Sequence, residues 1–115
     1  MRTLTQISRD VYKNRQNPRQ LGNLFMELGA MYGYYSDEMK LVKIQKPAIW
    51  IGIKESNLKS DGKLLSDKMT EMKWRMTPEG VKEQEYKYIL DGISKMSDSI
   101  KQAAYLNHQE LQLDR

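Results

Sequence analysis

The sequence predicts an all-α fold: a helical hairpin or bundle with a long kinked N-terminal helix and a C-terminal amphipathic helix, assembling as an oligomer. Three observations carry this reading. Apolar residues recur at 3-4 spacing in two long runs, Leu21 to Val42 and Tyr86 to Ala103, which lays them along one helix face. Thr77-Pro78-Glu79 has the form of a helix start: Thr caps, Pro takes the first helical position, and Glu sits where the dipole favours an anion. The 115 residues are 39% hydrophobic and 30% charged, which is lean for a self-sufficient globule. Small chains bury a smaller share of their surface, and oligomers often make up the deficit.

The chain reads as a single helical domain, residues 1–115. Residues 1–17 are polar and hold Arg2, Arg9, Lys13 and Arg15 with little periodicity, which leaves both a flexible and an ordered segment open. Asn17-Pro18 opens a helix over 18–55, with Asn capping and Pro at the first position. Its stripe is Leu21, Leu24, Leu28, Met31, Tyr35 and Val42, and Glu38 interrupts it beside Met39. Pro47 is expected to kink or end this helix, because it lacks an N–H and its ring clashes with the preceding turn. Residues 48–53, Ala-Ile-Trp-Ile-Gly-Ile, fit a short strand or a continuing helix, and helix is preferred. Residues 56–62 form a turn cluster by composition. Leu64, Leu65, Met69, Met72 and Met76 mark a short helix within 63–76.

The last helix spans 78–113. Tyr86, Ile89, Ile93, Met96, Ile100 and Ala103 follow one another at 3-4-3-4-3 spacing, a heptad seam suited to a partner helix. Two destinations are open for it. One is a hairpin with the Leu21–Val42 helix, and the other is self-association, with Tyr88, Leu90, Ala104, Leu106 and Leu111 widening the apolar surface. These six seam residues are the candidate oligomerisation site.

Several chemistries are excluded by residue type. With no cysteine, this chain has no disulfide, thiolate metal site or cysteine nucleophile. His108 is the only histidine, so no histidine triad or histidine-pair metal site can form. Glu83 and Glu85 stand two apart, on different helix faces. Asp61-Gly62-Lys63 resembles the tail of a phosphate loop, but the upstream Gly is missing and Leu64 replaces the metal-holding hydroxyl. The reading is a non-enzyme without cofactor or metal. No run approaches the ~20 apolar residues of a membrane span, and Met1 to Gln6 lack the apolar core of a signal peptide. A cytoplasmic protein with no membrane partner is expected.

Binding is left as the function class, and charge distribution points to its place. Residues 40–75 carry nine basic and four acidic groups, whereas 76–115 carry five and seven. Lys40, Lys43 and Lys46 repeat every third residue on one broad helix face, and Tyr34, Tyr35, Trp50 and Trp74 flank or interleave with the basic run. Cations for phosphates with rings for bases is the combination that holds single-stranded nucleic acid. The candidate DNA-binding residues are Lys40, Lys43, Lys46, Lys54, Lys59, Lys63, Trp50 and Trp74, with Arg9–Arg19 as the second choice. The plainer alternative is that the lysines solvate a helix while the rings pack in a core. Gly22, Gly29 and Gly33 form a small-residue row that either permits close helix approach or is merely tolerated.

A more specific pattern lies in the last helix. Ile89-Leu90-Asp91, six residues, and then Asp98-Ser99-Ile100-Lys101 resembles the C-terminal helix of the UvsY-like recombination mediators of tailed phages. That family has an Ile/Leu-Leu-Asp step and an Asp-x-Ile-Lys step at the same spacing, and Tyr86 or Tyr88 matches an aromatic upstream. A weaker similarity lies at Tyr35-Ser36, Glu38-Met39 and Gln45-Lys46. The family's basic cluster does not align with Pro47–Ile53, which is apolar here and surrounded by Lys40, Lys43, Lys46 and Lys54.

The resemblance implies a phage protein acting in the bacterial host cytosol. It implies a homo-oligomer, ring-like in form, that binds single-stranded DNA. It also implies displacement of the single-strand-binding protein and loading of a RecA-like recombinase, in DNA recombination and repair. Two other functions fit the residue types: a small phage or mobile-element protein that binds and inhibits a host protein such as a defence nuclease, and a structural helix-bundle subunit.

Overall fold

The structure, a computed structural model, describes residues 1–56 and 62–113, with side chains through Gln109. Among these residues there are four helices and no strand: α1 (Leu4–Lys13), α2 (Pro18–Ser56), α3 (Asp67–Met76) and α4 (Pro78–Leu113). The fold is all-α, as the two periodic runs predict.

The polar N-terminal segment, whose order the sequence leaves open, is helical from Leu4. Thr3 Oγ1 accepts from Gln6 N at 3.2 Å, and Gln6 Oε1 accepts from Thr3 N at 2.9 Å. This reciprocal capping box satisfies two donors at the helix start. Leu4, Ile7 and Val11 then recur at 3-4 spacing, with Ile7 fully buried. Arg2 fastens the same end, bonding Glu27 and pairing with Asp10.

α2 begins as expected at Pro18, with Asn17 Oδ1 accepting from Gln20 N at 3.3 Å. It continues through Pro47, so Ala48–Ile53 is helical and the strand alternative falls. Leu64 and Leu65 precede α3 rather than joining it, because Ser66 Oγ caps Met69 N at 3.3 Å and places the start at Asp67. Of the turn cluster at 56–62, Ser56 ends α2 and Gly62 has a positive φ of 80°, while residues 57–61 lie outside the described residues.

Two units make up the chain. In the first (Met1–Tyr35 with Ile89–Arg115), α1 and the first half of α2 pack on the second half of α4. Its core is Ile7, Leu21, Leu24, Leu28, Met31, Ile93 and Ile100, with Leu4, Val11, Tyr35, Ile89, Met96 and Ala103 against it. The parts of the sequence-predicted stripes from Leu21 to Tyr35 and from Ile89 to Ala103 therefore close on each other.

The second unit (Ser36–Tyr88) joins the second half of α2, α3 and the start of α4. It buries Met39, Val42, Thr70 and Trp74. Thr77 serves both neighbouring helices: its Oγ1 donates to Trp74 O at 2.6 Å and accepts from Gly80 N at 3.0 Å. A Cβ at Gly80 would lie 1.9 Å from Trp74 O, so only glycine permits this reversal.

Candidate nucleic-acid interface

The expected DNA-binding residues separate into distinct environments. Lys40 and Lys43 are exposed on α2 and have neither ion pair nor hydrogen bond among the described residues. Lys54 is half-buried and paired with Asp67 of α3. Lys63 is exposed, and Lys59 lies outside the described residues.

Lys46 is drawn inward. Its Nζ lies 3.4 Å from Glu83 Oε1 and 3.9 Å from Glu71 Oε2. It also lies 5.2 Å from the centre of the Trp74 ring and 5.6 Å from that of Trp50. Trp74 Nε1 donates to the same Glu83 oxygen at 3.3 Å. One carboxylate thus satisfies an ammonium and an indole together, as a partly buried polar group must be satisfied. Lys46 is a structural cation of the second unit. Trp74 is 0% exposed, so the base-stacking role expected for it is closed off: no ring face meets solvent. Trp50 is half-buried.

The seam expected to join copies is spent inside the chain. Ile93 and Ile100 are buried in the first unit, with Ile89, Met96 and Ala103 packed beside them. Tyr86, at the head of the seam, is half-buried in the second unit. The hairpin destination accounts for these side chains, which hold this chain together rather than offering a face to another copy. A methyl group placed on Gly22, Gly29 or Gly33 would meet nothing within 4 Å. No close helix approach uses that row among the described residues.

A different cationic cluster stands at the junction of α1 and α2. Arg9 and Lys13 are one helical turn apart on α1, and both are exposed, as are Arg15 in the turn and Arg19 in the first turn of α2. The Arg15 guanidinium lies 4.3 Å from the centre of the Tyr12 ring and donates to Tyr12 O at 2.8 Å. Tyr12 itself is 68% exposed. Asn107 of α4 fixes the turn by donating to Arg15 O at 3.0 Å. Residues 1–35 contain only two carboxylates, Asp10 and Glu27, and Arg2 engages both. Hydrogen bonding to Arg2 holds the Glu27 carboxyl below its usual range. Arg9, Lys13 and Arg19 are therefore exposed and have no ion pair among the described residues.

This stretch ranked second in the sequence because the apolar side of α1 has only three members. The capping pair Thr3 and Gln6, followed by Leu4, Ile7 and Val11, was the signal for it. On α3, Met69, Met72 and Met76 form an exposed row at 3-4 spacing.

Among the described residues no helix is long and apolar enough to cross a membrane, and no three His, Cys, Asp or Glu side chains are grouped to hold a metal ion. Comparison with known protein families, curated proteins and solved structures finds no match to this chain.

Proposed function

We propose that this protein binds single-stranded DNA without catalysis and serves recombination as a mediator, helping a RecA-like recombinase replace single-strand-binding protein. The single observation that supports DNA binding is the set of exposed cations Arg9, Lys13, Arg15 and Arg19 along α1 and the turn into α2, with the Arg15 guanidinium over the exposed Tyr12 ring and Asp10 and Glu27 engaged by Arg2. Guanidinium and ammonium groups suit phosphates, and a ring with one cation already seated on it suits a base. Lys40 and Lys43 are a second, smaller pair of unopposed cations. The mediator role draws on the resemblance of Ile89–Lys101 to the UvsY-like helix.

Assembly of several copies would multiply a modest patch through effective concentration. The seam of α4 is not its interface, since its isoleucines are internal. Titrating labelled oligothymidylate against the full chain at ~50 mM salt tests the proposal, because phosphate contacts are strongest at low ionic strength. Saturable binding that fades as salt rises is expected. Absence of binding at that salt ends the proposal.

A second reading, capture of a host protein, draws on the exposed Met69, Met72 and Met76 row, since methionine rows suit adaptable protein contacts. It requires a chain that ignores oligothymidylate.

A further inference from the structure

The outward side of α2 carries an apolar stripe that no described residue covers. Leu41, Ile44, Ala48 and Ile51 follow at 3-4-3 spacing, and all four are exposed, Ile44 by 67%. In this half of the helix the buried side is formed by Met39 and Val42. Single exposed apolar residues are ordinary on protein surfaces, but a contiguous row marks a contact site. Asp37 and Glu55 close the stripe at its ends, seven residues before Ile44 and seven after Ala48. Between Leu41 and Ile51 it runs for ~15 Å, about three helical turns.

We propose that this stripe docks an acidic amphipathic helix of a partner protein. Spacing selects the shape of the occupant, since anchors at i, i+3 and i+7 match a helix laid along a helix. Charge selects its chemistry. Lys40 borders the stripe and Lys43 stands one position farther round, both exposed and without a partner among the described residues, whereas Lys46 and Lys54 are ion-paired. A carboxylate-flanked helix would satisfy these lysines while its apolar side covers the stripe.

The other occupants fit less well. An antiparallel second copy would set one lysine border against the other, which repels. Nucleic acid would find cations here but no ring, because Leu, Ile and Ala offer bases nothing to stack on. Docking at this stripe does not depend on the cationic cluster of α1 and stands apart from the DNA reading.

The test uses the full chain and a labelled synthetic helix of about 18 residues, with Leu at heptad positions a and d and Glu at e and g. Saturable binding is expected. Ile44→Asp should weaken it by about tenfold or more, and Lys40→Glu with Lys43→Glu by about three- to tenfold. Both variants should keep the wild-type thermal melt, since these side chains are exposed, and Leu41→Gln serves as a second stripe variant.

Three results would overturn the proposal. One is no binding of the acidic helix, and another is equal binding of a helix with Lys in place of Glu. The third is a wild-type dimer in sedimentation that Ile44→Asp dissociates, which would make a second copy the occupant.

Discussion

Arg2 grips Glu27 through two parallel bonds, Nε to Oε1 at 2.7 Å and Nη2 to Oε2 at 2.6 Å, and the same guanidinium pairs with Asp10. This one side chain ties the first residues to α1 and α2. It also removes the only carboxylates of residues 1–35 from the neighbourhood of Arg9, Lys13 and Arg19. Local stability and surface charge are therefore set by the same contact.

The pair has a pH signature. Glu27 is held below its usual range by its hydrogen bonds to Arg2, so it stays charged in the folded chain at pH values where the unfolded chain would be protonated. Its stabilising contribution is complete above the ordinary carboxylate range and is lost as pH falls through the lowered folded value. The unfolding midpoint should decline on that acid limb, and Arg2→Ala should flatten the Glu27 part of the decline. Thermal melts read across the limb check this, and identical limbs for the two proteins would contradict it.

Glycine substitutions should divide by position. Gly33→Ala meets open space and should stabilise α2 by up to about 1 kcal/mol. Gly80→Ala would drive a methyl group against the Trp74 carbonyl at 1.9 Å and should cost about 1–3 kcal/mol. Urea unfolding of both variants measures the contrast. Two changes of the same sign would refute the described turn between α3 and α4.

Ile93 and Ile100 are core residues, so their truncation acts on the fold itself. Each change to Ala should cost about 2–5 kcal/mol, seen as a lower urea midpoint at any protein concentration. A loss of mass with unchanged midpoint would instead return these residues to an intermolecular interface.

The helices were legible wherever the signal was local. Thr77-Pro78-Glu79 marks the start of α4, and the 3-4 spacing of Leu21–Tyr35 and Ile89–Ala103 anticipates the core that they form together. The destination of the α4 seam was not legible, because the same spacing serves an internal hairpin and an association of copies. Lys46 was misplaced for a related reason. Its partners Glu71 and Glu83 lie 25 and 37 positions along the chain, so nothing adjacent to Lys46 distinguishes it from Lys40 and Lys43. Trp74 reads as a ring beside cations, and only the packing of α3 shows that the cation is its own Lys46.

The Lys46, Trp74 and Glu83 contact makes its own prediction. Glu83→Ala leaves a half-buried ammonium with only Glu71 at 3.9 Å and leaves the Trp74 Nε1 donor without its acceptor. An unmet buried polar group costs about 1–3 kcal/mol. Denaturant unfolding followed by tryptophan fluorescence reads it, and a silent substitution would show that the contact contributes nothing.

The central claim is that cations at the α1–α2 junction hold single-stranded DNA, and the salt dependence of affinity tests it most directly. Each neutralised phosphate contributes about 0.7 to the slope of log affinity against log salt for single strands. Replacing Arg9, Lys13 and Arg19 together by Gln should therefore lower the slope by about 2, while Lys40→Gln with Lys43→Gln changes it less. An unaltered slope in the triple variant would contradict the claim.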